Sequence, residues 1–204
     1  MQINTFRYTP KDVNCKLCTE YRGKRNRCPA CPWIAERIEA GAVGYEEAVR
    51  DTFPRDKGDD PRLDGRLNAV ISSFPGSMFL DGEHRKRMEE LKIRMGFRRR
   101  RDTPAWYAAM YLLTSNRTLR DRSVNCFCKH GIEFRYATVK GISPHDYTLL
   151  SAAKDLYSGA SGIELNALVN KEVVDTLAFT LIINAVMIAR YGCAALEIRE
   201  RRRT

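Results

Sequence analysis

Apolar residues recur along most of this chain at the three- and four-residue spacing of a single helical face. Leu63, Leu67, Val70, Ile71 and Phe74 share such a face, and Asp60-Pro61 before them supplies an N-cap and a first-turn proline. Asp81 caps a second predicted helix with Met88, Leu91 and Met95 inward, ending at Gly96. Thr103-Pro104 opens a helix containing Trp106, Ala109, Met110 and Leu113. Ser143-Pro144 opens another, with Tyr147, Leu150, Ala153, Leu156 and Tyr157 apolar and Gly159 closing it. Shorter helices are expected over residues 33–40, stopping at Gly41, and over residues 45–50. The longest predicted helix runs from Lys171 to Tyr191 with Asn170 as its cap. It is apolar on nearly every side between Val173 and Ile188, which predicts the central helix of the C-terminal core. Clear period-2 alternation is confined to residues 131–140, GIEFRYATVK, and residues 3–8 are the second candidate strand. The expected fold is therefore mainly α with a minor β-hairpin.

Cysteine spacing adds a metal to that picture. Cys15 and Cys18 form one CxxC pair, Cys28 and Cys31 a second, with nine residues between the pairs. Four thiolates on two tight knuckles suit a closed tetrahedral Zn²⁺ site packed on the helical bundle. A closed shell leaves no position for water or substrate, so this zinc is expected to be structural. Disulfides would need an oxidising compartment, and the N-terminus MQINTFRYTP shows no apolar leader or cleavage site. A redox CxxC would sit at a helix start beside a strand, and one pair would suffice. Four thiolates also suit an iron–sulfur cluster, but the short, paired, near-symmetric spacing favours zinc. The loop between the pairs carries Arg22, Lys24, Arg25 and Arg27 beside Tyr21, the composition of a nucleic-acid-facing knuckle. The alternative for this loop is a solvated turn on a zinc-stapled terminus.

The formal net charge of +10 raises the expectation of an anionic partner. Its distribution is uneven: residues 1–101 hold 22 Lys+Arg against 15 Asp+Glu, residues 102–192 hold 9 against 8, and residues 193–204 hold 4 against 2. Four segments follow: a zinc-knuckle module with short helices (1–54), a basic helical segment (55–101), a helical C-terminal domain (102–192) and a basic tail (193–204). The stretch 53–60, FPRDKGDD, is the most linker-like. The longest apolar run, residues 177–189, is interrupted by Thr180 and Asn184 and reads as a buried helix, so no membrane association is expected.

The densest cationic run begins at Arg85. Arg85, Lys86, Arg87, Lys92, Arg94, Arg98, Arg99, Arg100 and Arg101 face two acids, Glu89 and Glu90. Such density attracts phosphates through counterion release without reading sequence. Arginine runs also serve acidic protein surfaces, and a solvated turn paired to acids elsewhere is the third reading. The arginines of the tail, Arg199, Arg201, Arg202 and Arg203, are explained by a cationic helix end and solubility. Cys126, Cys128 and His130, with His145 and Cys193 elsewhere, would share a face on a strand and could hold a second metal. Buried free cysteines are the simpler reading. His84, His130 and His145 are scattered, and Asp60 is better explained as a cap than as half of an acidic pair with Asp59 or Asp64. No phosphate-binding glycine loop, nucleophile elbow or metalloprotease helix is present, so a non-enzymatic role is expected.

Several stretches carry a resemblance. They are WYAAMYLLTS from Trp106, GISP from Gly141, YTLLSAAKDLYSG from Tyr147, LIINAVMIARYG from Leu181 and the opening FRYTPKD with CxxCTEY. Together they resemble small cysteine-rich proteins of phages and conjugative elements of Gram-positive gut bacteria, a family of unknown function. The match covers roughly three quarters of the chain, and no catalytic residues are attached to that family. The resemblance implies a cytoplasmic protein serving a mobile element inside a bacterial host cell. Such proteins bind the element's nucleic acid, regulate its transcription or disarm host defence. DNA-mimicking inhibitors are acidic, so the basic charge excludes mimicry.

The expected function is a non-enzymatic zinc protein that binds nucleic acid (DNA or RNA) or a nucleoprotein complex through Arg22, Lys24, Arg25, Arg27, Arg98, Arg99, Arg100 and Arg101. The alternative is an anti-CRISPR-type inhibitor of a host CRISPR nuclease effector, blocking its DNA binding or cleavage. A metal-assisted nuclease is the third.

Overall fold

The computed structural model describes residues 34–54, 60–159 and 165–199, and this part of the chain is mainly α-helical. The four cysteines and candidate strand 3–8 lie outside the described residues. The described helices are α1 (Ile34–Glu39), α2 (Tyr45–Thr52), α3 (Pro61–Ser72), α4 (Gly82–Met95), α5 (Pro104–Leu113), α6 (Arg117–Ser123), α7 (Pro144–Ser158), α8 (Leu165–Val169) and α9 (Thr176–Tyr191).

Local capping chemistry sets most of the helix starts. Asp60 accepts the Arg62 amide at 2.8 Å, Asp81 that of His84 at 2.6 Å, Thr103 that of Trp106 at 3.2 Å and Ser143 that of Asp146 at 3.0 Å. Each cap satisfies one orphan donor of the first turn and contributes about 1 kcal/mol. Gly159 closes α7 with φ +70, the left-handed conformation that favours glycine. Helix α6 follows the same rule, although the apolar pattern did not predict it: Asn116 accepts the Leu119 amide at 2.8 Å.

Helix α9 starts later than expected. Asn170 accepts the Glu172 amide and closes a turn, and Asp175 then caps the helix by accepting the Ala178 amide at 2.9 Å. The helix is buried from Ala178 to Ile188 apart from Thr180 and Val186, and it shares the central position with α5. From Trp106 to Leu113 every described side chain is buried except that of Tyr107, and α5 packs along both α7 and α9. Its ten residues carry no charge, whereas Leu177 of α9 and Val173 before it are half exposed. Segment Thr176–Glu197 is long and apolar enough to cross a membrane by length and composition, yet most of its apolar side chains are buried in this core.

The predicted strand at 131–140 does not form. Among the described residues the β pairing is a single bridge between Phe127 and Ile132, followed by a 3₁₀ turn at Phe134–Tyr136. Arg122 of α6 takes the place of a partner strand, donating to the carbonyls of Thr138, Lys140 and Gly141.

One apolar cluster connects Ile34 in α1 with Ile198 beyond α9. Residues 193–198, read from sequence as the start of a basic tail, bury Ala195, Leu196 and Ile198 in it. Asn184 ties the cluster together. It accepts from the Tyr45 hydroxyl at 2.6 Å and donates to the Met78 carbonyl and the Tyr111 hydroxyl, both at 3.2 Å. The Tyr111 hydroxyl also donates to the Met78 carbonyl. A buried network with its members satisfied specifies one packing arrangement.

Candidate nucleic-acid interface

The exposed cations of α4 are held by a buried face that is fastened to α5. His84, Met88 and Leu91 are buried at helical spacing, and Met95 extends the stripe. His84 Nε2 donates to the Tyr111 carbonyl at 2.9 Å. Arg87 donates to the carbonyls of Thr114 and Ser115 at 2.8 and 2.6 Å, placing a cation at the C-terminal end of α5 where the helix dipole favours it. Arg87 is thus a fastening, and its charge is already committed.

Gly96 ends α4 with φ +58, and the chain enters a loop built around Asp102. The Asp102 carboxylate accepts from Arg101 Nε at 2.6 Å, from the Arg98 amide at 3.0 Å and from the Tyr107 hydroxyl at 3.4 Å. Burial, with Asp102 beside it, pushes the Tyr107 phenol up to about 12, so it remains a donor. Arg101 reaches back to the carbonyls of Met95 at 3.3 Å and Gly96 at 2.5 Å, and its guanidinium stacks over the Trp106 ring. The side chains of Arg101 and Asp102 are only 3% and 2% exposed. Arg101, expected from the sequence to meet an anionic partner, has its donors spent on the loop and is buried against the core.

Arg98, Arg99 and Arg100 project the other way. All three are exposed, and among the described residues none takes part in an ion pair. Lys86 and Arg94 of α4 are exposed as well, while Glu89 pairs with Lys92 at 3.0 Å and Glu90 approaches Arg120 at 3.9 Å. Two large apolar side chains stand among these cations, Ile93 at 80% exposure and Phe97 at 78%. They were missed as site residues. Position 93 falls off the stripe formed by Met88, Leu91 and Met95, and that offset was the available signal.

Cys15, Cys18, Cys28 and Cys31, with Arg22, Lys24, Arg25 and Arg27, lie outside the described residues. Cys126 is buried, which pushes its thiol up to about 11, Cys128 is partly buried and His130 is exposed. Among the described residues no group of three or more His, Cys, Asp or Glu is placed to hold a metal ion. His145 Nδ1 lies 2.6 Å from Asp175 Oδ2 and ties α7 to the start of α9. Arg199 lies 3.5 Å from Glu197, and residues 200–204 are outside the description. No protein-family model, curated protein or solved structure matches this chain.

Proposed function

We propose that this protein is a non-enzymatic binder of nucleic acid or of a nucleoprotein complex, with its described contact surface on α4 and residues 96–100. The observation that supports the reading is the division of labour within one arginine run. Arg101 is buried to hold the loop, and Arg98, Arg99 and Arg100 stand exposed and unpaired on it. Three uncompensated cations on a braced loop suit a phosphate backbone, which is bound chiefly through counterion release. The cationic loop between the two cysteine pairs belongs to the same proposal on sequence grounds, with Zn²⁺ as the staple that would order it.

Salt dependence tests the reading. Affinity for an oligonucleotide should fall steeply and linearly on a log–log plot against salt. Replacing Arg98, Arg99 and Arg100 together by alanine should reduce that slope by about 2 to 3, since each phosphate contact contributes roughly 0.7 to 0.9. An affinity flat from low to moderate salt, or a slope unchanged in the triple variant, refutes it.

A further inference from the structure

We infer that Phe97 is a stacking platform for an unpaired base, so that the ligand of this surface is single-stranded nucleic acid; the inference rests on the polyanion reading above. Phe97 is 78% exposed, yet the backbone on both sides of it is fixed. Before it, the Gly96 amide donates to the Lys92 and Ile93 carbonyls, and the Gly96 carbonyl accepts from Arg101. After it, the Arg98 amide donates to Asp102. A ring held out to water on a braced loop loses little conformational freedom when a partner covers it.

The residues that follow identify the partner. Arg98, Arg99 and Arg100 come directly after Phe97, and neighbouring Cα atoms are about 3.8 Å apart, so ring and cations meet the same few nucleotides. An aromatic face beside a cationic track is the combination that binds single strands, because every base has a π-face and every nucleotide a phosphate. In a duplex those faces are already stacked within the helix. The arginines would still find phosphates there, and Phe97 would find nothing.

The test compares the full chain with its Phe97→Ala and Phe97→Trp variants, by fluorescence anisotropy on labelled single-stranded DNA, single-stranded RNA, a duplex and an abasic single strand of equal length. Phe97→Ala should weaken binding to a base-bearing single strand by roughly fivefold or more, the scale of one stacked base. Phe97→Trp should retain it, and duplex affinity should not change. The abasic strand should bind the unaltered protein as weakly as the base-bearing strand binds Phe97→Ala. The DNA and RNA arms decide which sugar is preferred. An unaltered affinity in Phe97→Ala, an equal loss on duplex, or an abasic strand bound as tightly as the normal one overturns the stacking role. The phosphate reading survives any of these if the triple arginine variant still loses its salt slope. Capture of an acidic protein with no oligonucleotide bound at low salt overturns both.

Discussion

The guanidinium of Arg101 lies over the indole of Trp106, its central carbon 4.5 Å from the ring centroid. Trp106 is 1% exposed, so this arginine covers the outer end of the core through α5 while bracing the loop that carries its three neighbours. Arg101→Ala should destabilise the fold by about 3–5 kcal/mol, because the Asp102 carboxylate would stay buried without its cation. Arg101→Lys should not restore that stability, since an ammonium cannot serve Asp102 and two carbonyls while lying flat on a ring. Arg98→Ala, Arg99→Ala and Arg100→Ala should each change stability by about 0.5 kcal/mol or less. Urea denaturation of the four alanine variants and Arg101→Lys separates the structural arginine from the displayed ones.

His84 makes the fold sensitive to acid. Nε2 donates to Tyr111 and Nδ1 accepts the Leu80 amide at 3.4 Å, so the ring is neutral, and burial pushes its pKa down to about 4. In the unfolded chain it titrates at about 6.5, so the unfolded state binds the extra proton between those values. Stability from this group is complete above about pH 6.5 and is lost as pH falls towards about 4. The total is on the order of 3 kcal/mol. His84→Gln should be less stable near neutrality but lose less on acidification. Equal pH slopes in the two proteins would show that other groups carry the effect.

Gly131 lies against the hydroxyl of Tyr157. A Cβ there would sit 2.3 Å from the Tyr157 oxygen, which accepts the Ile132 amide at 3.1 Å. Gly131→Ala should cost about 1–2 kcal/mol by displacing the ring and breaking that hydrogen bond. In a Tyr157→Phe background the same substitution should cost clearly less, because the clashing atom is gone. Additive costs in this double-mutant cycle would separate the two residues.

The four N-terminal cysteines should hold one zinc per chain. Atomic emission on the purified protein should report zinc at about one equivalent, and Cys28→Ser should lose it. Iron in place of zinc, with visible absorption, would assign the site to a cluster.

Much of the helical framework was readable because capping is local. Asp60, Asp81, Thr103 and Ser143 each act on an amide two or three residues away, so a short window contains the whole interaction. The error at α9 was a choice between two nearby caps, Asn170 and Asp175, and the chain uses Asn170 for a turn. The failed strand had a different cause. Alternation in 131–140 was real, but the Glu133 and Phe134 carbonyls close a local 3₁₀ turn, and those of Thr138 and Lys140 accept from Arg122 of α6.

What the sequence determined alone is the starts of α3, α4, α5 and α7, the predominance of helix and the concentration of cations between Arg85 and Arg101. These depend on neighbours within a turn or two, or on composition. Tertiary structure decided that α5 shares the centre of the core with α9, because enclosure depends on which helices flank which. It also decided that Arg101 turns inward while Arg98, Arg99 and Arg100 turn outward. Four adjacent identical residues cannot be told apart by type. They are separated by the Trp106 ring, the Asp102 carboxylate and the end of α4, which the fold places around one of them.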